Sequence, residues 1–292
     1  MNGNARILLI GPGAVGGSVA AWLVEAGHQV TLAVRTAFDE LRVTVPDKRT
    51  LVSRPRVVTD PAEAGDADWV LVATKTYDSA AAAEWLRGAN TVAVLQNGVE
   101  HVQRFSKWLP ADRILPVMVD IPAERDSPGT IRQRGSGMMR VPEGETGRAF
   151  VELFAGTPLD VAEASDFTTV LWRKLCINVA GAVSAIIGAP GGIAWSEPAA
   201  EVMRALVSEC VAVGRAEGAK LDDSEAETVI AHYRKAPRDS INSLHADRIA
   251  GRRMEWDARN GAVSRTARKH GIATPANDMA CGLLAAIDER SR

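Results

Sequence analysis

The chain contains few cysteines, and their positions restrict what the protein can be. Cys176, Cys210 and Cys281 are far apart among 292 residues and form no C-x-x-C spacing. Neither a disulfide framework nor a thiolate metal site is therefore indicated, and we expect a cytoplasmic protein, because the cytoplasm keeps thiols reduced. The five histidines are also scattered without metal-ligand spacing, so we expect no metal.

Concentrated charge and long uninterrupted apolar runs are also missing. The net charge of −2 gives no reason to expect nucleic acid or an anionic membrane as a partner. Two charge-free runs, 7–24 and 176–195, are interrupted by proline and glycine. We interpret both as buried elements rather than membrane spans. The first residues lack the pattern of a secretory signal peptide, and we expect none.

A glycine motif near the N-terminus predicts a dinucleotide site. The apolar run 6–10 precedes glycines at positions 11, 13 and 16, and a helical segment follows. Strand, glycine turn and helix in this order are the context in which G-x-G-x-x-G binds a dinucleotide. Gly11 then permits the tight turn, Gly13 lets the backbone approach a pyrophosphate, and Gly16 lets helix and strand pack closely.

The same segment indicates which dinucleotide is bound. We expect the N–H groups that open the helix, including those of Ala14 and Val15, to face the phosphates. The next strand-like run ends at Arg35, where an NAD-binding protein places Asp or Glu. A cation suits the 2′-phosphate of NADP, although Asp39 and Glu40 follow closely. We therefore expect NADP, with NAD as the alternative.

The pattern that follows predicts an α/β domain over residues 1–164. Strand-like apolar runs alternate with helical segments, at 69–73, 79–87, 91–95, 100–109 and 114–119. This alternation is typical of a mostly parallel, doubly wound sheet of the Rossmann type. Segments 130–134 and 138–141 alternate across a glycine-containing turn and predict a hairpin that extends this sheet.

Residues 165–292 differ in character and predict an all-α second domain. Few strand-like runs remain, and helical segments follow one another, at 167–187, 198–217, 224–233, 240–249, 260–270 and 277–289. Ligands of doubly wound sheets bind outside the carboxyl ends of the strands. We therefore expect substrate to bind in a cleft between that edge and the helical domain.

Several polar residues are expected to face the cleft. Lys75 and the triplet Gln96-Asn97-Gly98 each follow a buried strand. Lys174 and Asn178 are four residues apart and share one face of a helix. Further along, Ser243 precedes the segment Glu255-Trp-Asp257.

On these motifs the chain resembles the ketopantoate reductase (2-dehydropantoate 2-reductase) family over nearly its whole length. The matching segments are Gly11-Pro-Gly-Ala-Val-Gly16, Lys75, Gln96-Asn97-Gly98, Trp172-Arg-Lys174-Leu-Cys-Ile-Asn178, Ser243 with Asp247, Glu255-Trp-Asp257 with Asn260-Gly261, and Ala267-Arg-Lys-His-Gly-Ile272 with Pro275. The resemblance implies a Rossmann domain followed by a helical domain. It also implies NADPH-dependent reduction of a 2-oxoacid, ketopantoate to pantoate, in pantothenate and coenzyme A biosynthesis.

The resemblance also implies roles for individual residues. Lys174 would be the general acid for the developing alkoxide, and Glu255 would orient Lys174 and hydrogen-bond the substrate hydroxyl. Ser243 would contact the substrate carboxylate. Three further residues are implied to contact substrate or cofactor: Asn97, Asn178 and Lys75.

Other residues near these motifs are ambiguous. Asp247 and Asp257 fit either caps and ion pairs or a place in the site. His245 is two residues after Ser243, off its helix face, and we expect it to be exposed.

One departure from the family keeps alternatives open. The family commonly has a second asparagine about four residues after the position of Asn178, and segment 179–184 has none. The alternatives are a related reductase of another keto acid or an imine, and a non-catalytic NADP-binding sensor. The presence of both Lys174 and Glu255 argues against the sensor. We expect a small-molecule substrate and a monomer or homodimer.

Overall fold

The computed structural model describes residues 4–290, in two compact units. Unit 1 takes the chain up to Asn97 together with His101–Phe167, and unit 2 takes Gly98–Glu100 together with the chain from Thr168 onward.

Unit 1 is an α/β structure. Its strands are β1 (Arg6–Ile10), β2 (Gln29–Ala33), β3 (Leu41–Thr44), β4 (Thr50–Ser53), β5 (Arg56–Val58), β6 (Trp69–Val72), β7 (Val92–Val94), β8 (Ile114–Pro116), β9 (Met118–Asp120), β10 (Ala123–Ser127), β11 (Thr130–Gln133), β12 (Met138–Pro142) and β13 (Asp160–Ala164). Its helices are α1 (Ala14–Glu25), α2 (Ser79–Ala83), α3 (His101–Phe105) and α4 (Glu145–Glu152).

Six of these strands form a parallel sheet in the order β5-β2-β1-β6-β7-β8. Counted along the chain, this is the order 3-2-1-4-5-6 of a Rossmann sheet, so the predicted fold class is confirmed. The central strands are almost wholly buried, as continuous apolar runs require of a sheet covered on both faces. The order reverses between β1 and β6, and such reversals are where ligands bind.

Two smaller sheets complete unit 1, and they correct two predictions. The expected hairpin of 130–134 and 138–141 is wrong, because β11 pairs with β10 and β3 whereas β12 pairs with β9 and β13. The run 114–119 is two strands rather than one. Val117 still bonds to the parallel sheet, and β9 then joins β12. Alternation along a strand fixes which side chains share a face but leaves the partner strand open.

Helix α1 contacts β1 and also the four-stranded sheet β10-β11-β3-β4. A Cβ added to Gly17 would lie 1.9 Å from Ile131 Cδ1, so this face of α1 approaches β11 closely. One turn later, Trp22 Nε1 donates to Gln133 Oε1 at 3.0 Å in the buried layer. The position of α1 is therefore set from two sides.

Unit 2 is helical, as predicted. Its helices are α5 (Phe167–Ala180), α6 (Ala182–Ile187), α7 (Glu197–Ala216), α8 (Glu225–Lys235), α9 (Ser243–Ile249), α10 (Asn260–His270) and α11 (Pro275–Arg290), and within residues 166–290 no strand forms. The stretch 167–187 is long and apolar enough to cross a membrane by length and composition alone. Its most apolar part is 56% buried, and Leu175, Cys176 and Val179 of α5 lie in the core of unit 2.

His101 opens α3 and supplies a titrating group in the interior of unit 1. Its Nε2 lies 2.7 Å from the carbonyl oxygen of Gln96. A carbonyl oxygen only accepts, so Nε2 carries the hydrogen. Nδ1 is buried without a partner among residues 4–290. Burial, assisted by the charge of Arg104, lowers the His101 pKa to about 4.

The depressed pKa of His101 predicts that acid destabilises the protein. Between pH 6.5 and 4 the unfolded chain binds a proton that the folded chain excludes, so stability is full above pH 6.5 and falls as the pH approaches 4. We expect the free energy of unfolding to decrease by about 2 kcal/mol from pH 7 to pH 5 through this group. Urea unfolding of wild type and His101→Gln at both pH values measures it. Equal pH dependence in the two proteins would contradict the assignment.

Candidate functional site

The turn after β1 has room for no side chain at two of its positions, Gly11 and Gly16. Gly11 has φ +82°, and a Cβ there would lie 2.6 Å from Thr74 Cγ2. A Cβ on Gly16 would lie 2.5 Å from the Gly11 carbonyl oxygen and 2.8 Å from the Ala73 Cβ. The predicted turn at Gly11 and close packing at Gly16 are therefore both confirmed. Glycine at these positions lets α1 begin at the end of β1, against the end of β6.

The start of α1 presents unpaired N–H groups. The backbone bond from Gly17 N to Gly13 O, at 2.8 Å, spans the first turn. The N–H groups of Ala14, Val15 and Gly16 therefore have no acceptor within the helix. They occupy the positive end of a twelve-residue helix, an arrangement that attracts phosphate.

Gly13 differs from the other two glycines because nothing in the protein crowds it. A Cβ added there meets no atom closer than the Gly11 carbonyl oxygen, at 4.0 Å, and its φ of −73° suits any residue. The open space above Gly13, bordered by the N–H groups of α1, fits a pyrophosphate that approaches the backbone. The residues present thus fit a dinucleotide.

Arg35 follows β2 and is 87% exposed, with its Nη2 3.7 Å from Asp78 Oδ2. An exposed pair this loose contributes little, and the guanidinium can turn toward another anion. Glu40, which complicated the cofactor prediction, accepts from Arg42 at 2.5 Å and lies 3.4 Å from Arg54. Its charge is therefore locally balanced.

Gln96 links the ends of β6 and β7. The buried Gln96 Nε2 donates to Thr74 Oγ1 and to Ser79 Oγ, each at 3.1 Å, while Gln96 Oε1 accepts from Arg104 at 3.1 Å. The half-buried Lys75 and Asn97 lie beside this network, in the chain segments that it fixes. The sequence places Gln96 in the triplet 96–98 but does not predict that its side chain connects the two strand ends.

Unit 2 carries the remaining predicted residues. Lys174 and Asn178 lie one turn apart on α5, both half-buried, as their spacing predicts. Glu255 is 3% exposed, in the connection between α9 and α10. The residues on either side of Glu255 are tied to the buried Asp288, which accepts from Met254 N at 3.1 Å and from Trp256 Nε1 at 3.0 Å. A buried carboxylate is thereby held on a fixed segment.

Ser243 opens α9 and has a partner that sequence analysis missed. Arg259 Nη2 donates to Ser243 Oγ at 2.7 Å, and Arg259 is 2% exposed whereas Ser243 is exposed. No sequence pattern separates this arginine from its charged neighbours. Only the fold distinguishes it as buried.

The ambiguous residues nearby have structural partners. Asp247 pairs with Arg252 at 2.9 Å, and Asp257 pairs with Arg265, which also holds Glu100. These ion pairs support a structural role for both aspartates.

The expectation that His245 is exposed is wrong. It is 3% exposed, and burial together with Arg248 lowers its pKa. Asn242 caps α9 by accepting from His245 N at 3.0 Å.

Gly181, in the segment that lacks the family's second asparagine, separates α5 from α6. A Cβ there would lie 2.8 Å from Tyr233 Oη and 3.0 Å from Asn242 Nδ2. Tyr233 donates to the Ile177 carbonyl at 3.0 Å, and Asn242 donates to the Gly181 carbonyl at 3.1 Å. The volume of a side chain at 181 is thus taken by these two groups.

A Rossmann sheet with a phosphate-binding turn at its switch point defines a dinucleotide-binding protein, here joined to a helical unit. The family model "Ketopantoate reductase PanE/ApbA" matches residues 7–146, and its C-terminal counterpart matches residues 166–288. The chain belongs to the ketopantoate reductase family.

Two relatives are named 2-dehydropantoate 2-reductase. The protein of Caulobacter vibrioides is 54% identical over 283 residues, covering 95% of this chain and 97% of its own. The protein of Mycobacterium tuberculosis is 38% identical, covering 97% and 98%. The crystal structure of the PanE/ApbA family ketopantoate reductase from Ralstonia eutropha superimposes with a TM-score of 0.87, at 30% identity, over 98% of this chain and 99% of that one.

The glycines of the turn predict opposite outcomes for two alanine substitutions. Gly13→Ala meets no protein atom, so we expect an unchanged or slightly raised melting temperature but at least about tenfold weaker NADPH binding. Gly16→Ala forces backbone apart, so we expect it to destabilise the ligand-free protein. Thermal unfolding and fluorescence titration with NADPH measure both. Undiminished NADPH affinity in Gly13→Ala would contradict a pyrophosphate site at Gly13.

Proposed function

We propose that the protein reduces 2-dehydropantoate to pantoate with NADPH, the step that serves pantothenate and coenzyme A synthesis. The observation that carries this proposal is the 54% identity, across 95% of the chain, to a protein named 2-dehydropantoate 2-reductase. The substrate is a small 2-oxoacid. The reaction takes place in the cytoplasm, in keeping with three cysteines that are all free.

The cofactor is a nicotinamide dinucleotide, as its family requires. When bound, it supplies the hydride that adds to the ketone carbon. The N–H groups of Ala14, Val15 and Gly16 would hold the pyrophosphate of the bound cofactor beside Gly13. Arg35 selects NADPH over NADH by pairing with the 2′-phosphate, and the loose contact of Arg35 with Asp78 supports this role. Lys75 and Asn97 contact the cofactor and the substrate from the ends of β6 and β7.

The chemistry at the ketone is assigned to Lys174. Negative charge builds on the carbonyl oxygen as the ketone carbon is reduced, and the Lys174 ammonium stabilises that oxygen and gives it a proton. Glu255 orients the ammonium and accepts a hydrogen bond from the substrate hydroxyl. Its burial and the fixed segment around it support this role, because a buried carboxylate is costly without a cation or donor to pair with. Asn178 holds substrate one turn from Lys174, and Ser243 binds the carboxylate.

A reductase of another 2-oxoacid or of an imine is the second candidate. The absence of an asparagine from segment 179–184 favours it, because the family commonly has that polar side chain in its substrate pocket. A non-catalytic sensor is disfavoured. A protein that only binds NADPH has no use for Lys174 and Glu255 in register with the family's acid and its carboxylate partner.

Replacing Lys174 tests the proposed chemistry. We expect Lys174→Ala to lower kcat for 2-dehydropantoate by about a thousandfold, because it removes a general acid, while NADPH binds as before. Lys269→Ala, which alters an exposed lysine of α10, serves as the matched control. Stopped-flow NADPH oxidation and NADPH titration separate the two effects. If more than about a tenth of kcat survives, Lys174 is not the acid.

Replacing Arg35 tests the cofactor assignment. We expect Arg35→Ala to lower kcat/KM for NADPH by about 10- to 100-fold and to leave that for NADH nearly unchanged, since only NADPH carries the 2′-phosphate. The comparison protein is Arg148→Ala, which alters an exposed arginine on α4. Steady-state rates with each cofactor at saturating substrate measure it. An unchanged NADPH-to-NADH preference would remove Arg35 from the site.

A further inference from the structure

Arg259 is an unusually placed cation. It is 2% exposed and immediately precedes α10, at the positive end of that helix. A helix N-terminus disfavours a cation, and burial disfavours any charge without a partner. Both the helix N-terminus and the burial therefore disfavour a positive charge at this position unless an anion is bound nearby.

The donors of Arg259 are mostly unused. A guanidinium has five N–H donors. Within the part of the chain that the structure describes, Ser243 Oγ at 2.7 Å is the one acceptor of the Arg259 guanidinium, whose Nε is buried with no partner. No carboxylate among these residues lies within ion-pair distance of it. Buried arginines are normally paired. Arg265, by contrast, holds two carboxylates, those of Glu100 and Asp257.

Ser243 connects this guanidinium to accessible space. The Ser243 oxygen accepts from Arg259, so its own hydrogen is available to donate to another group. Ser243 is exposed although Arg259 is buried. An anion that reaches Ser243 thus encounters one hydroxyl donor and, directly behind it, an uncompensated guanidinium.

We propose that Arg259 and Ser243 together bind the carboxylate of the 2-oxoacid, with Arg259 supplying its charge complement. This inference rests on the proposed function, which places that carboxylate at Ser243. The planar guanidinium matches a carboxylate in shape as well as in charge. Arg259 is then the residue that selects an acid over a neutral carbonyl compound.

The test compares an acid with its neutral ester. We expect Arg259→Gln to lower kcat/KM for 2-dehydropantoate by about 100-fold, mainly through KM, because the substrate carboxylate then has no charged partner. The same variant changes kcat/KM for the methyl ester of that acid by less than about threefold, since the ester carries no charge for Arg259 to bind. Arg268→Gln, at an exposed position of α10, changes neither. Equal losses for acid and ester, or no loss, would overturn the proposal.

Equilibrium binding separates this inference from the reaction itself. Calorimetric titration of 2-dehydropantoate into the NADP⁺-loaded protein should show about 100-fold weaker binding in Arg259→Gln and unchanged NADP⁺ affinity. Binding that depends on Arg259 without turnover would uphold the inference while the proposed function fails. Absence of 2-oxoacid binding in wild type would overturn the inference. A lower affinity for NADP⁺ alone would assign Arg259 to a cofactor phosphate and overturn it as well.

A second variant covers the case in which Arg259→Gln does not fold. Arg259→Lys keeps the charge but loses the fork of donors. We expect it to weaken binding of the acid by about tenfold and to leave the ester's kcat/KM unchanged. Acid binding as tight as that of wild type would show that the guanidinium itself is not the ligand, and would contradict the proposal.

Discussion

The close approach of α1 to the ends of β1 and β6 is the constraint on which unit 1 depends. It requires that Gly11 and Gly16 lack a Cβ, since an added Cβ would lie 2.6 Å from Thr74 Cγ2 at Gly11 and 2.5 Å from the Gly11 carbonyl oxygen at Gly16. The approach places the unpaired N–H groups of α1 at the point where strand order reverses. The missing Cβ of Gly13, by contrast, leaves space that the packing of the protein does not require. Fold and cofactor site thus share one turn, but they need different glycines in it.

Unit 2 uses burial in a different way. Its core is apolar, but Glu255 and Arg259 lie within the same short connection between α9 and α10, and both are almost fully buried. Asp288 fixes the segment that carries Glu255, and Ser243 is the described partner of Arg259. A buried charge lowers the stability of the fold relative to an apolar residue of similar size at the same position. We infer that these buried charges are retained because they bind a ligand.

Much of this fold could be predicted from sequence because its main signals are local. The glycine turn, the buried parallel strands and the helices of residues 166–290 follow from periodicity and from residues that tolerate special geometry. Strand partners did not follow, since β11 and β12 have the alternation of a hairpin yet belong to different sheets. Burial of Arg259 and of His245 also escaped prediction, because it arises from distant segments rather than from neighbours in the chain.

We propose that this chain reduces 2-dehydropantoate with NADPH. Its most direct test is the rate of NADPH oxidation by the wild-type protein with 2-dehydropantoate, measured beside pyruvate and 2-oxoisovalerate. We expect 2-dehydropantoate to have the highest kcat/KM, by about 100-fold or more, and pantoate to be the product. A higher kcat/KM for another 2-oxoacid, or no oxidation while NADPH binds, would contradict it.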